Sequence, residues 1–457
     1  MRVLRQRRSG HDYVEKLLEQ EMSRSQLSPQ DRALCQELIY GIVRWQRPLD
    51  WLIAQKTQGR TQNLTLQLLL QLGLYQVFWL ERIPNHAAVH ETVELAKMLG
   101  FGAQAGFVNA VLRGYIRERD ATVSLLQRLK QSEPALGYSH PDWLVQRWLN
   151  RYGPGKTSTL LDWNNRPPPT FARLNSLKTD AATLARSWEQ EGVVFTPREW
   201  DWTGEGLVFE LDAHKPLGQL RSFQEGFFYI QDPSTLLAVR QLDPQPGETI
   251  LDLCAAPGGK TTYIAQLMRN RGRVVAQDTA DDRLALIQEN CQRLGVTCVT
   301  AALSDPSGKT VSGALFDKGA QESVSVHGAR GSGNRQTRGL PHNDATLEHP
   351  CLFDRVLVDA PCSNAGVMRR RVDLRWRIRI EEIERLRAAQ LELLTQAATR
   401  LKPGGCLVYS TCSLEPEENI EVTRKFLEQN PKFHLKRERQ LLPFEDGVDG
   451  AYVAVMS

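Results

Sequence analysis

A chain of 457 residues is too long for a single hydrophobic core and predicts two to four domains. Hydrophobic residues at 41% and charged residues at 24% are ordinary globular values, which excludes a fibrous or wholly disordered protein. The formal net charge of +4 suits a nucleic-acid partner without demanding one.

The N-terminal "MRVLRQRRSGHDYVEK" is rich in arginine but lacks the apolar centre of a secretory signal. The richest apolar stretch, "LTLQLLLQLGLYQVFWL", is interrupted by Gln67, Gln71 and Gln76, so no membrane span is expected and the protein reads as cytoplasmic. Through about residue 135, apolar residues recur at three- and four-residue spacing in "DYVEKLLEQEM", "DRALCQELIYGIVRWQRPLDWLI" and "AAVHETVELAKML". With Pro84 and "GFGAQAGF" as punctuation, this spacing predicts a helical bundle. Residues 136–240 bring tryptophans, "NNRPPPTFARLNSLKTD" and short strand-like pieces such as "LVFEL" and "GFFYIQD", the texture of a small mixed α/β connector.

From 241 to 457 strands alternate with helices: "ETILDLC", a helix from Lys260, "GRVVAQD", "DRLALIQENCQRLG", "FDRVLVDAPC", "EEIERLRAAQLELLTQAATRL" and "GGCLVYSTC". That alternation predicts a parallel, doubly wound, Rossmann-like sheet, and the fold class is α + α/β. One segment departs from it. Residues 306–350 are rich in Gly, Ser, Asn and charge and poor in apolar residues, so a flexible surface insertion is expected there.

Eight cysteines, Cys35, Cys254, Cys291, Cys298, Cys351, Cys362, Cys406 and Cys412, form no CxxC pair and have no accompanying His spacing. Neither a metal site nor a disulfide framework is indicated. In "ILDLCAAPGGKTTYIAQL" a strand passes into a helix through two glycines, which lets a ligand approach the backbone and the helix N-terminus. A P-loop needs glycine where Cys254 stands, and GxGxxG is missing too. What remains is a dinucleotide site without its fingerprint or the S-adenosylmethionine version of the fold. Asp278 ends the next strand, where an acid can accept both hydroxyls of a ribose or simply cap the following helix.

"VLVDAPCSNAGVMRRR" then sets Asp359, Pro361 and Cys362 at the carboxyl end of a strand, and "STCSLEPEEN" sets Cys412 at the same edge. Two thiols and an acid beside a cofactor turn make a reactive constellation. These stretches resemble the RNA 5-methylcytosine methyltransferases. With "FVNAVLR", "FARLNSLK" and "QDPSTLLA", nearly the whole chain outside the insertion resembles the bacterial ribosomal RNA small-subunit methyltransferase B family. That resemblance implies an N-terminal NusB-like RNA-binding bundle, S-adenosyl-L-methionine as cofactor and small-subunit (16S) ribosomal RNA as substrate, with no metal.

It also implies roles. Carbon 5 of cytosine is a poor nucleophile until a thiolate adds to carbon 6, and Cys412 matches the family's thiol for that step. Cys362 matches the thiol associated with completing the reaction, Asp359 the acid that meets the ring nitrogen and exocyclic amine, and Lys260 the lysine of "PGGK". The cofactor site would comprise Cys254, Ala255, Ala256, Pro257, Gly258, Gly259 and Lys260, with Asp278, Asp305 and Asp359. A base buried in a stack is out of reach of a sulfur, so a loop or flipped nucleotide is expected as target. Arg369, Arg370 and Arg371, with Trp376 and with Arg173 of "FARLNSLK", are the candidates for RNA contact. Against this stands a solvated helix face whose later arginines pair with Glu381, Glu382 and Glu384. Asn364 and Val372 depart from the family pattern, where a small residue and proline are usual. Two other readings stay open: the same chemistry on transfer RNA, and an RNA-binding factor with a silent catalytic fold. A monomer is expected.

Overall fold

In the computed structural model the described residues are 1–10, 12–304, 310–315 and 352–457. Helices run from Arg2–Ser9 to Asp142–Asn165. In the helix Leu64–Trp79, Leu68, Leu69, Leu70 and Leu74 are fully buried, and apolar residues of its neighbours close around it. Its glutamines are compatible with that burial because their amide nitrogens find acceptors: Gln67 and Gln71 donate to Asp50 Oδ1 at 2.6 and 2.5 Å, and Gln76 to the Leu72 carbonyl at 3.0 Å. Among the described residues no helix is long and apolar enough to cross a membrane.

The connector forms an antiparallel sheet of β1 (Thr170–Leu174), β2 (Val194–Arg198), β3 (Val208–Ala213) and β4 (Phe228–Ile230), in the order β2-β3-β1-β4. Trp188, from the helix Ala181–Glu191, is fully buried against the rings of Phe195, Phe209 and Phe228 and anchors that helix to the sheet.

The larger sheet contains β5 (Thr249–Leu253), β6 (Arg273–Asp278), β7 (Val299–Ser304), β8 (Thr310–Leu315), β9 (Phe353–Asp359), β10 (Leu401–Thr411), β11 (Leu435–Leu441) and β12 (Ala451–Met456). Its order is β11-β12-β10-β9-β5-β6-β7-β8. The five central strands from β10 to β7 are parallel, as the alternation with helices requires. The flanks are not: β12, β11 and β8 run antiparallel to their neighbours. The links from β7 to β8 and from β11 to β12 are shorter than the dozen residues a parallel crossover needs. Strand β8 lies inside the segment expected to lack structure; the rest of that segment, and Asp305, fall outside the described residues.

From β5 the chain builds outward through β6 and β7, then returns to β9 and β10 on the other side. The reversal between β5 and β9 opens a crevice at their carboxyl ends, where doubly wound folds take ligands. The bundle is tied to this sheet by the segment after Cys362. Val372 packs in the bundle's own core, Arg7 pairs with buried Asp373 at 2.6 Å, and the Trp376 indole donates to the Val43 carbonyl at 2.8 Å. The departure at Val372 thus serves an apolar contact between domains.

Candidate active site

The turn after β5 carries Cys254 at φ 59° and Gly258 at φ 98°, two left-handed residues that fold the chain back before the helix Gly259–Leu267 begins. Neighbouring elements hold its backbone. The Ala255 N–H donates to the Gln277 carbonyl at 2.9 Å, and the Pro257 carbonyl accepts from Asn290 at 2.9 Å. Asp278 reaches the turn from the end of β6, where its carboxylate accepts the N–H groups of Ala256 and Thr279 at 3.0 and 2.8 Å and pairs with Arg283 at 2.9 Å. Burial, with the charges of Asp278, Asp359 and Asp252, pushes the Cys254 thiol up to about 12, so it stays neutral at pH 7.

Asp252 drew no attention in the sequence, although an acid on a buried strand next to a glycine turn is a usable signal. It is fully buried, accepts from the Thr261 hydroxyl at 2.6 Å, and keeps its second oxygen, Oδ1, without a protein partner. Burial raises its carboxyl to about 7. An orphaned buried carboxylate oxygen, two further acids and an open helix N-terminus suit a ligand with both cationic and anionic groups.

Lys260 Nζ lies 2.7 Å from Asp359 Oδ2, and the Ser410 hydroxyl donates to Asp359 Oδ1 at 2.9 Å. Register accounts for this second contact, because Ser410 of β10 stands opposite Asp359 of β9. Ser410 is a residue that motif reading missed; it precedes Cys412 by two, the period that returns a side chain to one face of a strand. Burial alone would lower the Lys260 ammonium, but the charge and hydrogen bond of Asp359 outweigh it and raise its pKa.

The two sulfurs meet beside this pair, with Cys362 Sγ 3.4 Å from Cys412 Sγ. Cys362 is buried, and its hydrogen bond to Cys412 together with burial pushes its thiol well above the ordinary value. Cys412 is partly exposed, and its thiol donates to Asn364 Oδ1 at 3.0 Å. The Asn364 amide nitrogen donates to the Cys362 carbonyl at 2.8 Å, which orients the oxygen toward Cys412. Asn364 adopts φ 60°, a conformation asparagine tolerates better than most residues. No group of His, Cys, Asp and Glu suited to a metal ion occurs among the described residues.

The arginines require correction. Arg173, expected at RNA, is 1% exposed, and its guanidinium donates to the carbonyl of Gly259, to Thr262 and to Gln231, stacked over Tyr263. Arg369, 2% exposed, is enclosed by Asp449 and Asp232 and lies over the Trp163 ring. Arg370 pairs with the same two acids but keeps some exposure. Both acids are distant in sequence, so the run "MRRR" reads as basic surface although two of its three arginines compensate buried carboxylates. Trp376 is committed to Val43, while Arg371 remains exposed. On the later helix, Arg385 pairs with Glu382 and Arg387 with Glu421.

Comparison with known proteins follows this architecture. A family model described as "16S rRNA methyltransferase RsmB/F" matches residues 239–319 and 336–456, the NusB family matches 1–117, and a ferredoxin-like domain of RsmF/B-like methyltransferases matches 140–210. The chain is 35% identical to the probable ribosomal RNA small subunit methyltransferase B of Bacillus subtilis, over 97% of this chain and 94% of that protein. It is 36% identical to the ribosomal RNA small subunit methyltransferase B of Vibrio cholerae, covering 95% and 91%. Among solved structures, "Crystal Structure of PH0851" is alike with a TM-score of 0.72 at 22% identity, over 97% of this chain and 93% of that one, a likeness that speaks for the fold.

Proposed function

The chain belongs to the 16S rRNA methyltransferase RsmB/F family, and on that premise we propose that it methylates carbon 5 of a cytosine in small-subunit ribosomal RNA through a covalent bond from Cys412. It is a ribosomal RNA methyltransferase with a NusB-like helical region and a Rossmann-like sheet, and its methyl donor is S-adenosylmethionine. The observation that carries the finer reading is the meeting of two thiols, 3.4 Å apart, beside a lysine–aspartate pair at the switch point of the sheet. A binding module has no use for that arrangement.

When bound, S-adenosylmethionine supplies an electrophilic methyl group. The turn from Cys254 to Lys260 would hold it, with Asp278 toward its ribose and Asp252 and Asp359 toward its cationic groups. In the proposed reaction Cys412 releases its thiol proton to solvent and its sulfur adds to carbon 6 of the flipped cytosine, while the displaced electron pair moves onto the ring and is balanced by a proton at ring nitrogen 3. Asp359, fixed by Lys260 and Ser410, meets that ring edge, with the Lys260 ammonium as its proton reserve. Carbon 5, now enamine-like, takes the methyl group. Nitrogen 3 then returns its proton to Asp359, and loss of the carbon-5 proton to a solvent base expels the Cys412 sulfur and restores the aromatic ring, a step that Cys362 attends.

Arg371 is the arginine of its run that we assign to RNA phosphate. The domain division at about 135 and 240, a monomeric state and a cytoplasmic site of action complete the reading. Bisulfite sequencing of total RNA from cells with and without the gene tests it. One cytosine of the small-subunit RNA should lose protection in the deletion and regain it with the parent gene but not with Cys412→Ala. A protected cytosine that moves to transfer RNA, or full rescue by Cys412→Ala, would overturn the substrate or the nucleophile respectively.

A further inference from the structure

Glu418 is fully buried, and three segments meet on its carboxylate. Oε1 accepts from the Ser363 N–H at 2.7 Å and from Gln390 Nε2 at 3.2 Å. Oε2 accepts from the hydroxyls of Ser363 and Ser413, which are themselves 3.2 Å apart. Ser363 directly follows Cys362 and Ser413 directly follows Cys412, so one side chain grips the residue after each thiol. The other acids of "LEPEEN" serve elsewhere, since Glu415 and Glu417 both pair with Arg147 of the helix Asp142–Asn165. Glu418 is held in turn by its backbone, whose carbonyl accepts from the Tyr409 hydroxyl at 2.6 Å.

We propose that Glu418 is a positioning residue that sets the separation of the two thiols by clamping the loops after β9 and β10 to each other and to the helix Ile380–Ala398. It touches neither sulfur and acts through Ser363 and Ser413. Burying a carboxylate is costly unless hydrogen bonds offset the lost water, and here all four donors that do so come from the two cysteine loops and one supporting helix. The assignment rests on the reading of Cys362 and Cys412 as the reacting pair.

The role is one of hydrogen-bond geometry rather than of proton transfer, and that distinction can be read out. In Glu418→Gln the amide NH₂ can take the place of Oε2, because both serine hydroxyls can turn to accept from it; in Glu418→Ala nothing joins the loops. The full-length protein is treated with the thiol oxidant diamide, which takes two electrons and two protons from the pair as the Cys362–Cys412 disulfide forms and is reduced to its hydrazine. The closure rate is followed by mass spectrometry alongside methylation of the RNA. Glu418→Ala should slow closure at least ~tenfold and lower kcat by a similar factor with KM for RNA unchanged, while Glu418→Gln should recover most of both. Ser413→Ala, which cuts one arm of the clamp, removes the acceptor of the Glu415 N–H at 3.0 Å and leaves the fold's apolar core intact, should fall between them and replaces Glu418→Ala should that variant not fold. Equal closure in the parent and the clamp variants, including no closure in either, would overturn the proposal, as would a Glu418→Gln as impaired as Glu418→Ala. A parent that closes its disulfide, clamp variants that do not, and a methylation rate indifferent to Cys412 would preserve the clamp and overturn the covalent reading.

Discussion

Cys362 and Cys412 sit with their sulfurs 3.4 Å apart, yet one is buried and the other partly exposed. The hydrogen bond to Cys412 and burial raise the Cys362 thiol well above its ordinary value, so at neutral pH it keeps its proton. Iodoacetamide at pH 7.5 should therefore label Cys412 before Cys362, by at least ~tenfold in rate. Peptide mass spectrometry of a time course checks this, and prior labelling of Cys362 would reverse the order argued for the pair.

Gly366 packs its backbone directly against the Cys412 loop. A Cβ there would lie 2.7 Å from the carbonyl oxygens of Cys412 and Gly450 and 2.8 Å from Gly450 Cα. Backbone atoms cannot step aside as a flexible side chain would, and the Gly366 N–H donates to that same Cys412 carbonyl at 2.9 Å. Gly366→Ala should cost about 1–3 kcal/mol in urea unfolding and slow methylation beyond what the stability loss explains.

Arg369 and Arg371 should separate cleanly. Removing Arg369 leaves Asp232 and Asp449 buried with Arg370 as their remaining arginine, so Arg369→Ala should lose about 3 kcal/mol of stability. Arg371→Ala should leave stability nearly unchanged and lower the slope of log RNA affinity against log salt by about 1. Urea unfolding and salt-titrated RNA binding on both variants give the comparison, and a stability loss at Arg371 with none at Arg369 would contradict the structure.

Asp252 gives the fold a pH dependence. Its carboxyl stands at about 7 in the folded protein against 3.8 as its ordinary value, with burial as the main cause. A raised folded value means that its contribution is complete below the unfolded value and is lost as pH climbs through about 7. Asp252→Asn remains neutral throughout, so in the cofactor-free protein it should gain on the parent as pH rises across that window, by up to about 4 kcal/mol. Thermal unfolding of both proteins across the window measures it, and a constant difference would refute the assignment.

Features carried by adjacent residues were legible in the sequence. The glycine turn, the acid ending β6 and the two thiols at strand ends could all be placed, because strand–turn–helix rhythm is local. What depends on distant partners was not legible. Arg173 and Arg369 look like basic surface until β1 is packed against the helix Gly259–Leu267 and Asp449 is brought to Arg369. The antiparallel flanks follow from link lengths that strand-by-strand reading did not weigh. Glu418 stayed hidden in an acidic run because its donors, Ser363, Gln390 and Ser413, come from three separate segments.

The bond from Cys412 to the base is the central step of the proposed reaction. Cys362→Ala removes the thiol assigned to release, so addition should proceed and elimination stall. Incubated with small-subunit RNA and S-adenosylmethionine, Cys362→Ala should migrate as a protein–RNA adduct on a denaturing gel, with mass spectrometry placing the nucleotide on the Cys412 peptide. The double variant Cys362→Ala/Cys412→Ala should yield only RNA-free protein. An adduct that survives removal of Cys412, or a Cys362→Ala protein that turns over normally without one, would contradict the mechanism.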